Sequence, residues 1–203
     1  MASNNNKNQR ILSQLNTPSK IQDFLNKLPF NFEKNGETYM SPSSALKANK
    51  AHCFEGALIA ALVLWMRGHK PLLLDLKTTE DKDVDHVVTL FKQDGYWGAI
   101  SKTNHAVLRY REPIYKNIRE LAMSYFHEYF LKTGEKTLRS YSKPFDLSNF
   151  PKDWITSDKS LYYLVEKLDK SPHIKILSRK QIKNLRKADK LEIKAGEIVD
   201  YRT

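Results

Sequence analysis

A chain of 203 residues with 40% apolar content holds one domain with a full core and is too short for two. Its single cysteine excludes an intramolecular disulfide and a multi-thiolate zinc site, and fits a reducing compartment. The longest apolar run, Ala57 to Met66, falls far short of the ~20 residues that cross a bilayer. The opening MASNNNKNQR lacks the apolar stretch of a secretion signal, so the expectation is a cytoplasmic protein without membrane contact. The net charge of +11 is concentrated in the flanks: residues 1–50 carry 7 basic and 3 acidic side chains, 51–169 carry 17 and 16, and 170–203 carry 10 and 4. Such ends read either as solvated basic surface or as a contact for nucleic acid or another polyanion.

In chain order, residues 1–16 are Asn/Gln-rich and read as a flexible N-terminus, with one domain expected over 17–203 and a basic extension from about residue 170. Thr17-Pro18 reads as a cap followed by proline in the first turn of a helix, with Ile21, Phe24, Leu25 and Leu28 at helical spacing. Residues 29–44 read as a loop turning at Asn35-Gly36. A helix over about 50–67 is apolar on every side from Ala57 to Met66, which demands enclosure by other elements, and Gly68 is placed to end it. Residues 72–76 and 85–91 read as strands, Asp94-Gly95 as a hairpin turn, and 96–101 as the returning strand. A further strand is expected over 106–110. Pro113 reads as the start of a second long helix, because Ile114, Ile118, Leu121, Ala122, Tyr125, Phe126 and Tyr129 fall on one stripe. Beyond it come a strand over 137–142, a helix over 159–168 capped by Ser157 or Asp158, a short strand over 174–177, and a basic helix opened by a Ser178/Gln181 capping box.

The chemistry gathers at Ala51-His52-Cys53-Phe54-Glu55-Gly56, which puts the cysteine in the first turn of the enclosed helix. Unpaired amides and the dipole there favour a thiolate and an oxyanion formed when it attacks a carbonyl. Glu55 reads as an aid to the thiol or a stabiliser of the helix start. His52 adjoins Cys53 but points about 100° away on the helix and reads as a surface or boundary residue. His86 begins a strand, and imidazole is the usual base for a thiol. The strand led by Trp97 ends at Ser101, where a group orienting the imidazole belongs. Asn104 and Asp83 are further candidates for that role, and Lys102, Arg109 and Arg111 cluster just after the strand, either as a grip for an acidic substrate or as the solvent face of that region. No ligand pair at close spacing supports a metal site, and no cofactor is required.

A cysteine at a helix start, a histidine at a strand start 33 positions later, then a hairpin and an aromatic-led strand resemble the core of the transglutaminase-like superfamily, which shares its cysteine–histidine architecture with papain-like proteases. The resemblance covers about residues 40–105. It implies an α+β fold in which the cysteine helix packs on a small antiparallel sheet, and a thiol-dependent hydrolase or acyltransferase acting on a peptide or carboxamide substrate. Cys53 and His86 would be the catalytic pair, with Ser101 or Asn104 as third member where the family commonly has an aspartate. Glu55, Trp97 and Lys102 are then expected near the substrate. The alternative is a catalytically silent scaffold of the same fold, used as a binding module for an acidic partner.

Overall fold

A computed structural model describes residues 10–80 and 82–201; the first nine residues of the Asn/Gln-rich segment lie outside them. The fold is α+β, with helices packed on an antiparallel sheet of seven strands. The elements are α1 (Pro18–Lys27), α2 (Pro42–Ala48), α3 (Cys53–Met66), β1 (Leu72–Lys77), β2 (His86–Gln93), β3 (Tyr96–Ser101), β4 (Arg111–Tyr115), α4 (Ile118–Ser124), β5 (Ser140–Ser142), β6 (Phe145–Asp146), α5 (Tyr162–Asp169), β7 (His173–Lys175), α6 (Arg179–Lys183) and α7 (Lys190–Gly196). Along the sheet the order is β4-β3-β2-β1-β5-β7, with β6 also on β1.

The enclosed helix forms as its composition demands. From Phe54 to Ala61 every α3 side chain is buried. Its residues divide between two clusters, one with α1 and β3 through Ile59, Ala60, Val63 and Leu64, the other with α5 through Phe54, Leu58 and Ala61. A helix wrapped this way holds its N-terminus at a fixed place over the sheet. The Thr89 hydroxyl of β2 adds register by donating to the Ala57 carbonyl at 2.7 Å.

The β2–β3 hairpin turns at Asp94 and Gly95, both at positive φ (51° and 86°), the backbone of a two-residue turn whose twist suits antiparallel strands. Its register sets Val88 opposite Ser101, so the end of β3 stands beside the start of β2. Thr17 caps α1 by accepting from the Lys20 amide at 3.2 Å, with Pro18 in the first turn. The Ser178/Gln181 capping box is present, although the helix it opens has only five residues.

The stripe after Pro113 forms differently from its expectation. Residues 111–115 are the edge strand β4, and the helix begins only at Ile118, where the Asn117 side chain accepts from the Glu120 amide at 2.9 Å. An edge strand tolerates a proline because its outward positions need no amide. After Ser124 the chain tightens into a 3-10 turn over Phe126–Glu128, and Leu121, Ala122, Tyr125, Phe126 and Tyr129 still enter one core cluster. The strand expected at 106–110 is therefore displaced to β4. The residue 29–44 region ends in α2, capped by Ser41. Helix α5 starts at Tyr162 without a side-chain cap, and helix α7 runs from Lys190 to Gly196. No described helix is long and apolar enough to cross a membrane.

Candidate active site around Cys53

Cys53 is the first residue of α3 and His52 its cap, in extended conformation (φ −93°, ψ −171°). Because His52 stands outside the helix, the 100° rotation between helical neighbours does not separate the two side chains. The ring turns back over the helix start: Nδ1 lies 3.9 Å from Cys53 Sγ and 3.3 Å from the Phe54 amide, which donates to it. On the ring's far side, Nε2 lies 2.7 Å from the Thr38 carbonyl, with Glu55 and Glu33 carboxylate oxygens at 3.5 and 3.7 Å. His52 is thus buried beside the thiol, not a surface residue.

Glu55 holds this corner together. Its side chain is fully buried. One oxygen accepts from the Thr38 hydroxyl at 2.8 Å and the Met40 amide at 3.1 Å. The other accepts from the His52 amide at 3.0 Å and the Asn31 side chain at 3.2 Å. A buried carboxylate needs such a set of donors. They fasten the loop at 31–40 to the first turn of α3, which makes Glu55 a buried anchor with no face toward a substrate.

His86 opens β2 and is buried. Its Nε2 meets the Ser101 hydroxyl oxygen at 2.8 Å, while that hydroxyl donates to the Leu108 carbonyl at 2.5 Å. A serine hydroxyl has one hydrogen. With that hydrogen on Leu108, Ser101 accepts from His86 Nε2–H, and the network assigns the neutral ring a bare Nδ1. The Ser101 backbone is fixed as well, since the Gln22 side chain of α1 donates to its carbonyl at 2.7 Å and accepts from its amide at 2.9 Å.

The two imidazoles act on the thiol together. Burial raises the pKa of Cys53, but His52, whose Nδ1 is 3.9 Å from the sulfur, and then His86 outweigh it and bring the value from 9.0 to about 5. Burial lowers the pKa of His52, and the Cys53 sulfur, Glu55 and the Thr38 carbonyl overcome it, raising the value from 6.5 to about 9. The direction is that of a thiolate beside an imidazolium. Protonating His52 Nδ1 exchanges the weak bond from the Phe54 amide for one to sulfur.

Cys53 and His86 line a cleft of about 740 Å³ shared with Asn104, Leu108, Glu128 and Tyr129. Part of its wall is the segment after α7, whose Ile198 carbonyl accepts from the Ala106 amide at 2.9 Å and whose Asp200 amide donates to the Asn104 carbonyl at 2.8 Å. The Tyr129 hydroxyl is buried without a hydrogen-bond partner among the described residues.

The other sequence candidates fall at varied distances from this centre. Asn104 is on the cleft wall, but the side chain on the far nitrogen of His86 is that of Ser101. Asp83 accepts from the Thr137 hydroxyl at 2.5 Å instead. Lys102 lines the cleft yet is 4% exposed, with its ammonium on the Leu25 carbonyl at 2.9 Å and on that of Leu28. It closes the C-terminal end of α1, where a cation suits the unpaired carbonyls. Trp97 packs against the core cluster of β1, β2 and α4, outside the residues that line the cleft. Sequence reasoning missed the parts played by His52, Gln22 and Glu128. Only His52 carried a signal, its place directly before a helix-opening cysteine.

A second acidic group, Asp75, Asp85 and Asp169, is already engaged. Asp75 holds His173 at 3.1 Å, Asp85 accepts from the Thr78 amide at 2.7 Å, and Asp169 pairs with Lys77. No family model matches the chain, and no curated protein matches it.

Proposed function

We propose that the protein is a thiol-dependent hydrolase or acyltransferase of transglutaminase-like type, acting on a peptide or carboxamide bond through Cys53 and His86. The observation that carries this reading is that Cys53 and His86 line one cleft, with the Ser101 hydroxyl 2.8 Å from His86 Nε2 and the thiol's pKa lowered by its histidine neighbours. A thiolate at neutral pH is the attacking species such chemistry needs. Its sulfur adds to the carbonyl carbon, and the Cys53 amide, with no preceding turn to supply it with a carbonyl, is the candidate donor to the developing oxyanion. His86, having taken the thiol proton on Nδ1 while Nε2–H stays on Ser101, then delivers that proton to the leaving amine as the carbon–nitrogen bond breaks. Water or a second amine releases the acyl group from sulfur. Ser101 accepts from His86 without a carboxylate's charge, so it orients the ring and stabilises the imidazolium less than an aspartate does. The His52 side of the thiolate supplies charge stabilisation of its own.

The test is acyl-enzyme formation with p-nitrophenyl acetate. Attack of sulfur on the ester carbonyl expels one nitrophenolate and leaves an acetyl group on Cys53. One equivalent of nitrophenolate released in a burst, with acetyl on the Cys53 peptide by mass spectrometry and loss of both in His86→Ala, is the expected result. Acetylation no faster than that of free cysteine would reject the reading.

A further inference from the structure

Ser101 serves His86 only while its own hydrogen is held elsewhere. If that hydrogen turned toward His86, it would donate to Nε2 and leave the ring's proton on Nδ1, the nitrogen that must receive the thiol proton. What holds the Ser101 hydrogen is the Leu108 carbonyl, and Leu108 has an unusual backbone. Its φ is +60°, a left-handed conformation that is unfavourable for a non-glycine residue. The strain is compensated on both sides of the residue. Its carbonyl accepts from Ser101, and its amide donates to Glu128 Oε2 at 2.6 Å. The same Glu128 oxygen pairs with Arg111 Nη2 at 2.7 Å. Arg111 is set in turn over the Tyr125 ring at 3.9 Å, with its Nε donating to the Ser124 hydroxyl at 2.9 Å.

We propose that Glu128 is a positioning residue for His86, acting through the Leu108 peptide and the Ser101 hydroxyl to fix which nitrogen of the imidazole carries the proton. This rests on the reading of Cys53 and His86 as the reacting pair. The carboxylate never touches the ring. It holds the Leu108 peptide in the left-handed turn, the peptide's oxygen takes the serine hydrogen, and the serine lone pair takes the imidazole N–H. A carboxylate thus serves the pair from two steps away, through a peptide and a hydroxyl.

The test combines alkylation of Cys53 by iodoacetamide at pH 6 with 15N NMR of the histidine side chains. Ser101→Ala and Glu128→Ala are each expected to slow alkylation about tenfold, the worth of one well-placed hydrogen bond. The double variant is expected to be no slower than Ser101→Ala, because both act along one chain of contacts. Glu128→Gln keeps an oxygen for the Leu108 amide and is expected to restore most of the rate. In a Cys53→Ala background at pH 8, where no thiol proton is available to the ring, His86 is expected as a single Nε2–H tautomer, and as a mixture once Glu128→Ala is added. Independent, multiplying losses in the double variant, a tautomer and rate that Glu128→Ala leaves unchanged, or a Gln variant as slow as the Ala variant would each overturn the proposal. His86→Ala separates the two levels. If it leaves the rate unchanged, the reacting pair itself is wrong. If it slows the rate while Glu128→Ala does not, only the positioning role fails.

Discussion

The sulfur of Cys53 lies 3.9 Å from the imidazole of its own chain neighbour, His52, because that neighbour caps the helix and does not belong to it. The thiol therefore has a second histidine beside it in addition to the one that lines the cleft. His52→Asn separates the two jobs of this residue. Asparagine is a good cap but brings no positive charge, so the helix start survives while the Cys53 pKa rises from its value near 5. An upward shift of about one unit, roughly 1.4 kcal/mol, is expected in thiolate absorbance near 240 nm followed against pH.

The coupled titration also sets a shape for stability against pH. Cys53 is lowered from 9.0 to about 5, so its contribution is fully present above 9.0 and is lost as pH falls through 5. His52 is raised from 6.5 to about 9, so its contribution is fully present below 6.5 and is lost as pH rises through 9. The two slopes oppose each other between 6.5 and 9. The difference in unfolding free energy between wild type and Cys53→Ser should therefore rise from pH 5 to 6.5, by about 1–2 kcal/mol, and stay level up to pH 9. Urea unfolding of both proteins across this range measures it. A difference that climbs steadily to pH 9 would mean His52 is not the thiolate's partner.

Glu55 is a structural anchor in this account. Glu55→Ala leaves the Thr38, Met40, His52 and Asn31 donors without their acceptor, and the expected loss is about 3 kcal/mol. Glu55→Gln fares little better, since an amide nitrogen in that corner meets donors. Chemical denaturation gives the magnitude, and hydrogen exchange should locate the loosening at residues 31–40 and the first turn of α3.

Gly56 tests the packing beneath the thiol. A Cβ at this position would lie 2.3 Å from Lys102 Cβ and 2.7 Å from its Cγ. Gly56→Ala must therefore push the buried lysine stem away and with it the ammonium from the α1 carbonyls. The expected cost is about 2 kcal/mol, even though alanine favours a helix over glycine. A variant as stable as the wild type in thermal unfolding would show that the lysine stem has room to move.

Much of this site was legible from residue order. An apolar-all-round helix beginning at the lone cysteine, a strand beginning at His86 and a hairpin returning to Ser101 follow from composition and turn chemistry. The geometry then brings Ser101 to His86, because the hairpin register places the end of β3 beside the start of β2. The misread parts share a cause. A cap residue such as His52 does not have the helical direction that its place in the sequence suggests. The stripe after Pro113 has helical spacing, yet its first residues satisfy an open sheet edge, and pairing with β3 outweighs local periodicity. Lys102 follows the strand like a solvent-facing cation, and only the fold reveals the helix end that receives it. Gln22 and Glu128 act through backbone atoms distant in sequence, contacts that leave no local pattern.

The most direct measurement is the rate of Cys53 alkylation by iodoacetamide from pH 4 to 9 in the wild type and in His86→Ala. A thiolate paired with imidazolium predicts a wild-type midpoint near 5, displaced upward when His86 is removed. A wild-type midpoint at the ordinary cysteine value, about 8.5, or one that His86→Ala leaves in place, would contradict the account.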